Sequence, residues 1–135
     1  MKVVLDTNVV VSALLTAHGT CGRILDLLID GAFPICADDR ILDEYDTVLR
    51  RPALALATDD VSRVLELIRS VAESVPSAPL HIRLPDQEDL PFLEVAAAAE
   101  ALLVTGNERH FPRNARAGVT VLTPREFLEL MRRIP

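Results

Sequence analysis

The stretch that decides the fold is Lys2-Val3-Val4-Leu5-Asp6-Thr7-Asn8-Val9-Val10. Val3 to Leu5 is a short aliphatic, β-branched run of the kind that forms a buried strand. Asp6 stands where that strand ends, followed by two small polar residues and then Val9, Val10 and Val11. In an open α/β sheet, ligands collect outside the carboxyl ends of the strands. An acid at the end of the first strand is therefore well sited for chemistry, and what the chain does turns on whether later acids converge on it.

Outward from that strand, an apolar run over 9–15 predicts a helix with Asn8 as its cap. Cys21, Ile24, Leu25, Leu28 and Ile29 recur at helical spacing behind Thr20 and stop at Gly31. A short strand is expected at 33–37. Asp38 should cap a helix over 39–51, which Pro52 terminates. Val61, Val64, Leu65, Ile68, Val71 and Ala72 mark an amphipathic helix over 59–74. Residues 75–85 hold three prolines and read as a connector, with a short extended piece at 80–84. A helix at 90–101 carries Pro91 in its first turn, where the missing N–H does no harm. Strands follow at 102–104 and 119–122, and Thr123-Pro124-Arg125-Glu126 is a capping box opening a last helix through Met131. Strands alternating with helices point to one α/β/α domain over 1–135, built on a central parallel sheet.

Composition narrows the function. Half of the 135 residues are hydrophobic and 25% are charged, a globular balance. No apolar run approaches the roughly 18 residues of a membrane span, and the N-terminus does not read as a secretory signal. Cys21 and Cys36 lack metal-ligand spacing and are expected to be reduced core thiols of a cytoplasmic protein. A net charge of −6 argues against holding nucleic acid by bulk electrostatics. The distribution is more telling: residues 1–100 carry 17 acids against 8 bases, whereas 101–135 carry 3 against 6. Early acids and a basic tail suit a site that binds cations near a polyanion, although a mixed surface would look the same.

Three regions supply acids that could join Asp6. Glu44 lies between Ile41 and Val48 on the same helix face, a position where a carboxylate needs a partner or a cleft. Its ordinary alternative is pairing with Arg40. Asp86-Gln87-Glu88-Asp89 precedes the helix 90–101, and three acids exceed what capping one helix requires. Thr105-Gly106-Asn107 follows a strand and is either a turn or a set of polar ligands. His110 alone reads more readily as a structural or surface histidine. Such hard oxygen donors suit Mg²⁺ or Mn²⁺, which can activate water and clamp a phosphodiester.

In this order the pieces resemble the PIN-domain nucleases. The resemblance rests on Val-Leu-Asp6-Thr7-Asn8-Val, Asp43-Glu44 with Leu49-Arg50-Arg51-Pro52, Asp86-Gln-Glu-Asp89-Leu-Pro-Phe-Leu, and Leu-Leu-Val-Thr105-Gly106-Asn107 leading to His110-Phe111-Pro112. It covers nearly the whole chain and is strongest to the VapC-like toxins of bacterial toxin–antitoxin modules. The resemblance implies a Rossmann-like sheet and Mg²⁺- or Mn²⁺-dependent cleavage of RNA. It also implies a cognate antitoxin and frequent homodimerisation. It carries the central acids onto Asp6, Glu44 and Asp89, with Asp86 accessory. Where relatives often have a fourth acid this chain has Asn107, with His110 shortly after, which puts the fourth ligand and a second metal in question. Asn107 could ligate or orient water through its amide oxygen. Arg50, Arg51, Arg109, Arg113 and Arg116 are candidates to grip the RNA backbone.

Two other readings compete. The missing fourth acid would suit a degenerate domain that binds RNA or antitoxin without cutting. A phosphatase using Asp6 as nucleophile would commonly carry a second aspartate two residues on, where this chain has Asn8.

Overall fold

The computed structural model describes residues 1–134. Strand β1 (Val3–Leu5) is its axis, and all three of its residues are buried. This is the continuous apolar pattern of a parallel strand covered on both faces. Asp6 closes β1 and caps helix α1 (Thr7–Leu15), its Oδ1 accepting from the Thr7 N–H at 2.8 Å. The helix thus starts at Thr7 instead of behind Asn8. Aspartate and asparagine are equally good caps, and the one nearer the strand end takes the position.

Helices α2 (Thr20–Ile29), α3 (Asp39–Leu49), α4 (Thr58–Val71) and α5 (Leu90–Ala99) precede strand β2 (Leu102–Val104). Strand β3 (Val121–Leu122) and helix α6 (Pro124–Arg133) complete the described chain. The three strands form a parallel sheet in the order β1-β2-β3, with Val3 opposite Leu102, Leu5 opposite Val104 and Val104 opposite Leu122. Helix α5 packs on β1 and β2, α3 joins α5 to α4, and α1 and α2 meet each other and, through α2, α6. The result is a three-layer α/β/α architecture.

The strand expected at 33–37 is reduced to single parallel bridges, Val3 to Ile35 and Cys36 to Glu73. Cys36 N–H donates to the Val3 carbonyl at 2.9 Å, so β1 is bonded on both edges. The chain therefore leaves β1 toward one edge and returns on the other through β2. That reversal opens a crevice at the carboxyl ends of β1 and β2.

Other boundaries shift for local reasons. Helix α3 ends at Leu49, and Pro52 opens a separate 3-10 turn, Pro52–Leu54. Helix α2 is capped by Gly19 backbone, without the side-chain bond expected of Thr20. The capping box is present at Thr123 and Glu126. Residues 80–84 join no strand. The connector is pinned instead by buried Glu94 of α5, which accepts the Leu80 N–H at 2.7 Å and pairs with Arg40 Nη1 at 2.7 Å.

The core runs without a break from Val3 to Phe127, which meets Phe33 edge-on at 5.0 Å. Both cysteines are free, Cys36 buried and Cys21 partly so. Leu15 and Ile29, at the ends of α1 and α2, stay about half exposed. No helix among the described residues is long and apolar enough to cross a membrane.

Tyr45, on the buried face of α3, donates its hydroxyl to the carbonyl of Leu5, the last residue of β1. Tyr45→Phe should leave that carbonyl buried without a donor and lower stability by about 1–3 kcal/mol. Urea denaturation is the check, and an unchanged midpoint would show that the bond does not fasten α3 to the strand end.

Candidate active site

A cleft of about 340 Å³ sits over the carboxyl end of β1, and five carboxylates line it: Asp6, Glu44, Asp86, Glu88 and Asp89. Each arrives by its own route. Asp6 is delivered by β1, Glu44 by α3, and the other three by the 3-10 turn Gln87–Asp89 and its cap, Asp86. Thr7, Asn8, Ser12, Arg51 and His110 complete the polar lining.

Asp6 is only 3% exposed, so its charge depends on protein donors. Its Oδ2 accepts from the Thr105 hydroxyl at 2.8 Å and from Asn8 Nδ2 at 3.3 Å. Thr105 is fully buried at the end of β2 and in turn accepts the Asn107 N–H at 3.0 Å. Asn8 Oδ1 takes the Gly106 N–H at 2.9 Å, bracing the turn after β2 against α1. Burial pushes the Asp6 carboxyl up, while Thr105, the Thr7 N–H, His110 and Asn8 pull it back.

Glu44 is half-buried and accepts a hydrogen bond from the Thr7 hydroxyl. Arg40 does not pair with it, because that guanidinium is held by Asp38 and Glu94, 2.7 Å from each. Burial raises the Glu44 carboxyl, Thr7 opposes this, and the charges of Asp6, Glu88 and Asp86 raise it further.

Asp89 is the most perturbed acid of the cleft. It precedes α5 but makes no side-chain capping bond; the cap of the preceding turn is Asp86, which accepts the Glu88 N–H at 3.0 Å. Burial, followed by the nearby charge of Asp6, pushes Asp89 up to about 6, against an opposing pull from His110. His110 Nδ1 lies 2.8 Å from Asp89 Oδ2. The contact lacks the direction of a good hydrogen bond, and Oδ2 is left buried without a well-aimed donor.

The acids share a cleft but not a coordination point. Among the described residues no three His, Cys, Asp or Glu side chains already surround one position as a ligand set. The oxygens of Asp6 and Glu44 turn instead to Thr7, Thr105 and Asn8. The donor chemistry nevertheless fits a hard divalent cation: clustered carboxylates, three of them pushed toward protonation, and one buried oxygen short of a partner.

The remaining expected residues divide. Arg51 lines the cleft, whereas Arg50 is tied to Asp46 at 2.6 Å. Arg109 and Arg113 are exposed on the turns that follow β2. Arg116 spends its Nε on the Phe111 carbonyl at 2.8 Å. The Asn107 side chain is not among the lining groups. Thr105 and His110 emerge as partners of the acids; the strand-end Thr-Gly-Asn signalled the first, and nothing local signalled the pairing of the second.

Comparison with known proteins agrees with this fold. A family model described as PIN domain matches residues 2–109. An uncharacterized protein of Methanocaldococcus jannaschii is 29% identical over 141 residues, covering 96% of this chain and 90% of that one. The crystal structure of VapBC2 from Rickettsia felis, bound to a DNA fragment from its promoter, superposes with a TM-score of 0.60 at 20% identity. That match spans 91% of this chain and 98% of the other, and shows a shared fold.

The raised Asp89 carboxyl fixes the sign of a pH effect. Below its ordinary value of 3.8 the group is protonated folded or unfolded and contributes nothing. Between 3.8 and about 6 the unfolded chain gives up the proton first, so the folded state loses stability as pH rises. Asp89→Asn removes the charge and keeps an oxygen toward His110. It should be more stable than wild type by roughly 1–2 kcal/mol at pH 7.5 without divalent ions, allowing for solvent screening. At pH 4 the gain should vanish. Equal stability of the two proteins at both pH values in thermal unfolding would contradict this account.

Proposed function

The chain belongs to the PIN-domain family, and from that premise we propose that it is a Mg²⁺- or Mn²⁺-dependent endoribonuclease, the toxin of a toxin–antitoxin pair. The observation that carries the proposal is the gathering of Asp6, Glu44 and Asp89 from three separate segments into one cleft at the strand ends. Two of these acids are buried and the third half-buried, and their carboxyls are all shifted upward. Perturbed acids collected in a cleft mark functional sites more often than structural ones.

In this reading Asp6, Glu44 and Asp89 hold the ion, with Asp86 beside them. When bound, the ion supplies charge neutralisation and Lewis-acid activation at a phosphodiester. The chain's own work is orientation. Thr105 and the Thr7 N–H fix the Asp6 carboxylate, and the Thr7 hydroxyl sets Glu44. Asn107 acts through its backbone, steadying Thr105. Arg51, on the rim, offers a guanidinium to an RNA phosphate. Arg109 and Arg113 extend that basic track on the exposed turns beyond β2. Arg50 and Arg116, with their partners already in place, contribute less.

The antitoxin belongs to the same proposal, supported by the shared fold with a VapBC2 protein. So does a homodimer, supported by the exposed Leu15 and Ile29. The absence of a ready-made ligand set among the described residues favours the rival reading, a domain that binds but does not cut. Against it stands Asp89, buried beside the charge of Asp6 although it makes no side-chain capping bond.

The test is cleavage of a mixed single-stranded and structured RNA pool with Mg²⁺ or Mn²⁺, wild type beside Asp6→Asn. Wild type should cut and chelation should stop it. The variant should lose more than the roughly 10–100-fold that removing an outer partner of a metal site costs. Undiminished cutting by Asp6→Asn would refute the assignment, and inert, folded, antitoxin-free wild type would leave the binding-only reading.

A further inference from the structure

A second cavity, of about 300 Å³, adjoins the acid cleft at the end of α3. Val48 lines the acid cleft and Leu49 lines this cavity, so the last turn of the helix divides the two. Arg51 lines both. It is an exposed arginine that makes no ion pair among the described residues.

The apolar part of this cavity is Leu49 and Val61, both buried, with Leu56 and Pro52. Its polar groups besides Arg51 are Thr58 and Arg50. Arg50 is held in place, its Nε 2.6 Å from Asp46 and its Nη2 3.4 Å from Ser62 Oγ, so it serves as a fixed wall and not as a mobile hook for phosphate. The lining loop is braced as well: the Leu54 N–H donates to the Arg51 carbonyl at 3.1 Å and the Ala55 N–H to the Pro52 carbonyl at 3.0 Å. Asp59 and Asp60, in the first turn of α4 beside Thr58, disfavour an anion there. An apolar surface with a few fixed hydrogen-bonding groups suits a neutral, flat ring with a polar edge, which is the chemistry of a nucleobase. Small-molecule pockets start at about 300 Å³, so this one takes a single ring system and not a base pair. A base in a duplex is turned toward its partner, whereas unpaired bases can be splayed out and read on their edges.

We propose that this cavity holds an unpaired base next to the phosphodiester in the acid cleft, so that the substrate is single-stranded RNA laid across Arg51. The inference rests on the ribonuclease reading above and adds to it the path of the strand and a base subsite. Arg51 meets the phosphate at the junction of the two cavities. Thr58 and Arg50 meet the edge of the base, and Leu49, Leu56 and Val61 meet its face.

The test is to sequence the cut sites that the full chain leaves in a random-sequence RNA pool with Mn²⁺, offered single-stranded or annealed to its complement. Wild type should cut the single strands at least tenfold faster than the duplexes, with a base preference at one position flanking the cut. Thr58→Phe, checked for folding by circular dichroism, fills the cavity. It should flatten that preference and raise KM about tenfold, the scale of one lost base contact. Should that variant fail to fold, Thr58→Val, which keeps the shape and loses the hydroxyl, should reduce the preference severalfold. Equal cutting of duplex and single strand, no flanking preference in wild type, or a folded variant with unchanged preference and KM would each overturn this inference and leave the ribonuclease reading standing. Wild type that cuts neither form would overturn the ribonuclease reading and this inference with it.

Discussion

Everything in this structure depends on carboxylates gathered beside one another in one cleft at the strand ends, two of them buried. Asp6 is nearly sealed from solvent, and Asp89 feels both burial and the charge of Asp6. An isolated arrangement of this kind costs folding energy, because the charged forms lose hydration and gain mutual repulsion. The protein offsets part of the cost with uncharged donors: two threonine hydroxyls, one asparagine amide and the first N–H of α1. It does not offset the rest, and Asp89 Oδ2 is where the deficit shows.

The fold makes that arrangement rigid. Strand β1 is bonded on both edges and packed on both faces, so Asp6 projects from the least movable part of the molecule. Tyr45 bonds α3 to the last carbonyl of β1 and thereby sets the height at which Glu44 enters the cleft, one residue away. Asn8 joins α1 to the turn after β2, so the segments that carry Asp6 and Thr105 cannot move independently. On the far side of α3, the Arg40–Glu94 pair holds the helix start to α5 and keeps Arg40 away from the acids. Strain at the site is thus resisted by contacts outside it, the pattern expected where function opposes stability.

Much of this was legible in the chain itself. The apolar runs at β1 and β2 flanked by helical spacing gave the parallel sheet, and acids at strand ends gave the cleft. Glu44 stood out because its helix face was apolar, and Asp89 because a third acid was more than one helix end needs. The strand at 33–37 shrank to bridges because its edge partner, near Glu73, is a single residue of irregular chain. What local pattern could not give are contacts between residues far apart in sequence, such as Thr105 on Asp6 and His110 on Asp89. Arg50 and Arg51 were separable in principle, because Asp46 stands four residues before Arg50 on the same helix face and holds it, leaving Arg51 on the rim.

The most direct measurement of the central claim is thermal unfolding near neutral pH, with and without Mg²⁺ or Mn²⁺, for wild type and Asp89→Asn. If the carboxylates are held in waiting for a cation, saturating ion should raise the wild-type midpoint by several degrees. That corresponds to about 2.7 kcal/mol at a hundredfold excess over Kd. The variant, already relieved of its charge, should gain little. A wild-type midpoint indifferent to divalent ions, or an equal rise in both proteins, would contradict the account.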